Sequence, residues 1–178
     1  MAASTTSAKG VSAVADTADR ELVFTRVFDA PRELVFEAWT DPKHIAQWWG
    51  PKGFTTTIQE MDVRPGGVWR HVMRGPDGRD YLNKIVFLEV TKPERLVYKH
   101  EPEHGSEPVH HQTTVTFADE GGKTRLSMQM LFASAADRKY VVDTYGAVEG
   151  ANQTLSRLAE HLPLMHPLDG LADYMAKE

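Results

Sequence analysis

The apolar residues of this chain keep two spacings, and the spacing changes three times along its length. Between Glu21 and Asp29 it is two: Leu22, Phe24 and Phe28 fall on one side with Arg26 among them, and Val23, Thr25 and Val27 on the other. That pattern predicts a first strand with apolar character on both faces. Asp29-Ala30-Pro31 stops it, with Asp29 the expected N-cap and Pro31 in the first turn of a helix. Leu34, Val35, Ala38 and Trp39 then follow at helical spacing. Asp41-Pro42 opens a second short helix carrying Ile45, Trp48 and Trp49, and Gly50-Pro51 ends it.

From Phe54 to Phe132 the spacing returns to two. Strands are predicted at Phe54–Val63, Val68–Arg74, Tyr81–Val90, Arg95–His100, His111–Phe117 and Arg125–Phe132. Turns at Arg64-Pro65-Gly66-Gly67, Gly75-Pro76-Asp77-Gly78 and Asp119-Glu120-Gly121-Gly122 separate several of them. Strands joined so tightly are antiparallel. The last element is predicted as one continuous helix of roughly 25 residues, long for a globular protein. Ser134 is its N-cap and Pro163 its stop. Val141, Tyr145, Val148, Leu155, Leu158 and Leu162 form its apolar stripe, and Gly146 and Gly150 lie inside it. A sheet with an apolar inner face needs a cover, and only this helix is long enough to supply one. The expected architecture is therefore α+β: a curved antiparallel sheet of about seven strands wrapped around a long C-terminal helix, with two short helices at the mouth of an enclosed cavity.

Composition narrows the function classes. The chain has 178 residues, 41% hydrophobic and 25% charged, as in ordinary globular proteins. Lys and Arg total 20 against 25 Asp and Glu, a net charge of -5, which argues against a nucleic-acid binder. The absence of cysteine excludes disulfides, thiolate nucleophiles, Cys-ligated zinc and iron–sulfur clusters. No apolar run is long enough for a membrane span. Residues 1–20 are rich in Ala, Ser and Thr and read as a disordered tail. Residues 21–163 form the expected domain. Residues 164–178 make a second tail with room for a short helix. The cytoplasm is the expected compartment. No cofactor is expected, and a homodimer stays open.

The segments FTRVFDAPRELVFEAWTDPKHIAQWWGP, DVRPGG, PERLVY, TTVTF with GGKTRLSM, and EGANQTLSRLAEHL resemble the heat-shock protein 90 ATPase activator homologue family. That family belongs to the START-like (SRPBCC, Bet v-like) superfamily. The resemblance covers about residues 20–162 and lies in the order of the motifs. It implies the helix-grip fold, with a tunnel for a small hydrophobic or amphipathic molecule. Relatives with this cavity include lipid carriers, polyketide cyclases and condensing enzymes. One position departs from the pattern: Glu149-Gly150-Ala151 places alanine where similar sequences place tryptophan, which implies extra room. Chaperone activation is not expected, because the eukaryotic co-chaperone engages its partner through a separate N-terminal domain.

Candidate ligand-binding residues follow from the inward rows. They are Trp48, Trp69, His71, Tyr98, His100, Met128, Met130, Tyr145, Glu149 and Ala151. Aromatics line pockets, methionine adapts to varied ligands, and histidine supplies a titratable group. Arg26, on an apolar face, needs a counter-charge, and Glu60 and Asp62 are its expected partners in a structural ion pair. The run His100-Glu101-Pro102-Glu103-His104 with His110-His111 looks metal-like, but Pro102 breaks the helix that an H-E-x-x-H site requires. No metal is expected there. Ligand binding leads. A cyclase or hydrolase using His71, Tyr98, His100 or Glu149, and an interaction module on the outer sheet face, are the alternatives.

Overall fold

The computed structural model describes residues 17–102 and 110–165. Of the expected tail over residues 1–20, residues 1–16 lie outside the described residues, as do Glu103, His104 and the expected short helix beyond Met165, whereas Arg20 is fixed on the sheet, its Nη1 donating to Phe132 O at 2.9 Å. Strand β1 (Glu21–Phe28) leads into α1 (Arg32–Thr40) and α2 (Pro42–Trp48). Six strands follow: β2 (Thr55–Met61), β3 (Val68–Arg74), β4 (Asp80–Thr91), β5 (Arg95–His100), β6 (His111–Glu120) and β7 (Lys123–Phe132). Helices α3 (Ala135–Tyr145) and α4 (Ala147–His161) and a 3-10 turn at Leu162–Leu164 close the chain.

The seven strands form one antiparallel sheet in the order β1-β7-β6-β5-β4-β3-β2. Consecutive strands from β2 to β7 are neighbours, as their short turns require, and β1 returns to close the β7 edge. Register shifts between Ile58 and Glu60 in β2 and between Phe87 and Glu89 in β4 mark bulges. Bulges increase local twist and bend a sheet. The inner face carries Phe24, Trp69, Ile85, Phe87, Leu96, Tyr98, Val115, Phe117, Leu126 and Met128, all buried. Leu155, Leu158 and Leu162 pack onto it from α4 and its end, and Val35, Phe36, Trp39, Ile45 and Trp48 from the two short helices. This is the helix-grip arrangement.

Three local expectations change. Asp29 does not cap α1: the helix begins at Arg32 with Pro31 in the N-cap position, extended at ψ 150°. Asp41 does cap α2, accepting from the Lys43 amide at 2.9 Å. The C-terminal helix is two helices. Ser134 caps the first, its Oγ accepting from the Asp137 amide at 3.1 Å. Gly146 then sits at φ 60°, ψ 44°, in the left-handed region. A left-handed residue ends an α-helix, and glycine takes that conformation without a Cβ penalty. The break also shifts the phase of the apolar stripe. Val148 is 41% exposed rather than facing the sheet, while Ala147, Ala151, Thr154 and Leu155 turn inward.

Arg26 and its expected partners are separated by the sheet order. β1 and β2 are its two opposite edges. Arg26 instead donates from Nη1 to Ser156 Oγ on α4 at 2.9 Å and lies over the Phe28 ring. Glu60 pairs with Arg70 at 2.8 Å and Asp62 with Arg64 at 2.6 Å. Arg26 therefore satisfies its donors on a neutral hydroxyl and a ring face, at the partly exposed rim of the sheet.

Candidate ligand cavity

A cavity of about 270 Å³ lies between the sheet and the paired helices. Its floor is the inner row of the sheet: Met73 from β3, Leu82 to Lys84 from β4, Tyr98 and His100 from β5, His111 and Thr113 from β6, and Met128 and Met130 from β7. Its roof is Val141 and Tyr145 of α3 and Ala147, Gly150, Ala151, Thr154 and Leu155 of α4. Trp39, Trp49, Gly50 and Pro51 complete the wall at the short-helix end. Small roof residues leave the space open. A Cβ on Gly150 would lie 3.4 Å from Pro51 Cγ, so α4 already touches the loop after α2 there. A second, more open groove of about 700 Å³ runs over the outer face of α4, lined by Val142 and Val148 together with polar residues such as Lys52, Glu149, Gln153 and Arg157. It is surface, with solvated walls.

The candidate residues divide accordingly. Tyr98, His100, Met128, Met130, Tyr145 and Ala151 line the cavity. Tyr145 does so from the end of α3 and remains 38% exposed. Trp48, Trp69, His71 and Glu149 are not in its walls. Trp48 is fully buried, its Nε1 donating to Ala38 O at 2.9 Å. It sits behind its neighbour, because a helix turns consecutive residues about 100° apart. Trp49 takes the wall position, in edge-to-face contact with Trp39, Trp48 and Trp69. Trp69 is also fully buried, stacked on His71 at 4.5 Å. His71 in turn accepts from Trp49 Nε1 at 3.1 Å. Both therefore stand behind Trp49 and fix its orientation. Glu149 points the other way, accepting from Gln153 Nε2 at 3.2 Å on the outer groove.

The electrostatics of the cavity are set by burial. It pushes His71 down to about 3 and His111 down to about 4. It holds His100 well below the usual imidazole value, helped by the neighbouring histidines. All three are neutral at pH 7. Burial raises the Tyr98 phenol, so its hydroxyl stays protonated. The charged residues at this end compensate one another: Glu101 lies 3.3 Å from Lys84 Nζ and 3.1 Å from Lys99 Nζ. The metal-like run thus brings His100 and His111 side by side on adjacent strands, with ring centroids 4.3 Å apart.

The sequence candidates left out much of the wall, including Trp39, Trp49, Met73 and His111, and also Arg157. Trp39 and Met73 lie on predicted inward faces, and the missing information was depth. Arg157 clamps the loop after α2, donating from Nη1 to the carbonyls of Trp49, Gly50 and Pro51 at 3.3, 2.9 and 3.2 Å. Its Nη2 donates to Gln47 O at 3.2 Å. No carboxylate spacing in the sequence announces a cation that serves backbone carbonyls.

A curved sheet gripping a helix around a largely apolar cavity defines the START-like class of proteins. Within that class the chain belongs to the family described as Activator of Hsp90 ATPase homolog 1-like protein, whose pattern matches residues 29–163. Solved structures agree. A protein from Nitrosomonas europaea is 26% identical, with a TM-score of 0.72 over 83% of this chain and 96% of its own. Another from Mycobacterium smegmatis is 26% identical, with a TM-score of 0.73 over 85% of this chain and 93% of its own. One from Arthrobacter aurescens, 22% identical, shares the fold with a TM-score of 0.76 over 84% of this chain and 90% of its own. Among curated proteins, none matches the chain. Among the described residues, no helix is long and apolar enough to cross a membrane.

Proposed function

We propose that this protein binds a small hydrophobic or amphipathic molecule in the cavity between the sheet and α3–α4. The observation that carries the reading is the half-open space of about 270 Å³ walled by Met73, Met128, Met130, Leu155 and two indoles. Interiors are close-packed, and voids larger than a water are few. A space of this size, near the lower end for ligand sites, is one that a ligand fills. Methionine walls suit it, because unbranched thioethers repack around different shapes.

Binding is favoured over acid–base catalysis. A general base works best with a pKa near the operating pH. Burial holds His111 at about 4 and His100 well below its usual value, and keeps the Tyr98 phenol protonated. These groups are polar contacts rather than proton acceptors at neutral pH. The test is a thermal-shift screen with fatty acids, sterols, flavonoids and fused-ring aromatics. A ligand at about 100 times its dissociation constant adds roughly 2.7 kcal/mol, a rise of several degrees for a domain of this size. A flat melting temperature across every class would refute the proposal.

A further inference from the structure

The cavity is apolar over most of its wall, and two of its polar residues are imidazoles set side by side. His100, the last residue of β5, and His111, the first of β6, lie beside each other in the wall. Their ring centroids are 4.3 Å apart and the planes inclined by 30°. Among the described residues, each ring leaves its Nδ1 buried without a hydrogen-bond partner. Buried polar atoms in native proteins are almost always paired, so two orphans on adjacent strands of one cavity wall leave hydrogen-bonding capacity unused at this place. A half-turn of either ring about Cβ–Cγ exchanges Nδ1 with Cδ2 and leaves the outline of the ring nearly unchanged, so either edge can present the nitrogen.

Resting on the reading of this cavity as a ligand site, we infer that the His100–His111 pair seats a hydroxyl group, and that the ligand is an uncharged phenol or alcohol on an apolar ring body. The argument is one of complementarity. A neutral imidazole carries one donor and one acceptor nitrogen, and a hydroxyl is likewise both donor and acceptor. A hydroxyl therefore pairs with either tautomer of one ring, and with both rings when at least one of them presents its N–H. A carboxylate only accepts: it could use the N–H of a neutral ring but would leave each acceptor nitrogen unpaired and bring an uncompensated negative charge into a buried site. An ammonium would bring an uncompensated cation. The carboxylate of the described wall, Glu101, is already engaged by Lys84 and Lys99. Elsewhere the walls offer Trp39 and Trp49 faces and methionine sulfurs, which suit a ring body.

Three probes of one shape test the inference on the full chain by isothermal titration: naphthalene, 2-naphthol and 2-naphthoate. The expected order is 2-naphthol tightest, about three- to tenfold over naphthalene, the worth of one net hydrogen bond, with 2-naphthoate weakest. In His100→Leu/His111→Leu the order of the first two should invert, because the hydroxyl then enters an apolar site unpaired. Should that variant not fold, the wild-type order still decides, together with displacement of the His100 and His111 imidazole nitrogen resonances by 2-naphthol and not by naphthalene. Equal binding of naphthalene and 2-naphthol, or tightest binding of 2-naphthoate, would overturn the hydroxyl seat and leave the apolar cavity standing. No binding of any probe would overturn both.

Discussion

Lowering the pH from 7 to 5 should remove a large part of the stability of this fold, and three histidines carry the effect. His71 and His111 titrate at about 3 and about 4, and His100 lies well below its usual value, all chiefly because burial disfavours the charged ring. In the unfolded chain each titrates near 6.5. A base whose folded value is depressed is neutral in the native state while the unfolded chain takes up protons, so stability is complete above about pH 7 and falls as the pH drops below 6.5. At pH 5 each of the three then costs about 2 kcal/mol, and together about 6 kcal/mol. That is comparable to the whole stability of a typical domain, about 5–15 kcal/mol. His161 shifts in the same direction through desolvation and the neighbouring His44, but it is less buried and adds less. The paired carboxylates Asp80, Glu101 and Glu120 are shifted down by their cationic partners. Their contribution is lost only as the pH falls below the usual carboxylate range, so the two effects separate along the pH axis.

The assay is urea unfolding followed by circular dichroism at pH 7, 6 and 5. Below pH 6 the free energy should fall by about 4 kcal/mol per pH unit, the slope for three protons taken up on unfolding. In His100→Leu/His111→Leu it should fall by only about 1 kcal/mol per unit. A wild-type loss under about 2 kcal/mol between pH 7 and 5 would mean that no more than one of these rings is buried and neutral.

Two further perturbations probe the roof of the cavity. Ala151→Trp places an indole into the space that Ala151, Tyr145, Met128 and Met130 enclose; melting temperature should rise through buried apolar area and probe binding should disappear. A loss of about 1–3 kcal/mol from overpacking, with binding retained, would show that the space does not extend to Ala151. Gly146→Ala forces a Cβ into the left-handed conformation at φ 60°, and should lower the urea-derived stability by about 1–2 kcal/mol. An unchanged midpoint would mean that α3 and α4 fuse without strain.

Much of the fold was legible because a period of two, interrupted by glycine turns, leaves a meander of strands few alternatives. The helix break was not, because Gly146 inside an apolar stripe reads the same whether it is helical or left-handed; only its φ distinguishes them. Moving Val148 out of register and Ala147 into it follows from that one angle. Face was read more reliably than depth. His71 and Trp69 do point inward, but Trp49 covers them. Lateral order was the other blind spot. Pairing Arg26 with Glu60 or Asp62 assumed that β1 and β2 adjoin, whereas β1 pairs with β7 and the two candidates lie at the opposite edge. His100 and His111 were legible individually. Their juxtaposition needed the register of β5 against β6, in which Lys99 pairs with Gln112.

Arg157 shows how the roof and the mouth of the cavity are coupled. Helix α2 ends at Trp48, and the carbonyls of its last turn have no partner within the helix. Arg157 reaches from α4 to Gln47 O, Trp49 O, Gly50 O and Pro51 O. It acts as a C-cap from another element, its charge also matched to the negative end of the α2 dipole. The loop it secures carries three cavity-wall residues, Trp49, Gly50 and Pro51. Arg157→Lys keeps the charge, but a single ammonium on a flexible stem cannot span four carbonyls. Stability should fall by about 1–3 kcal/mol, the cost of leaving such acceptors unsatisfied. The sharper readout is local. The Phe54 amide, bonded to Pro51 O at 3.0 Å, and the Lys52 amide, bonded to Gln153 Oε1 at 3.1 Å, should exchange with deuterium faster than in the wild type, while the β6–β7 amides do not change. Probe dissociation should quicken in step, because the Trp49 wall would open more often. If exchange at Lys52 and Phe54 stays at the wild-type rate in Arg157→Lys, the guanidinium is a passenger on the surface of α4 and the mouth is held by the tryptophan cluster alone.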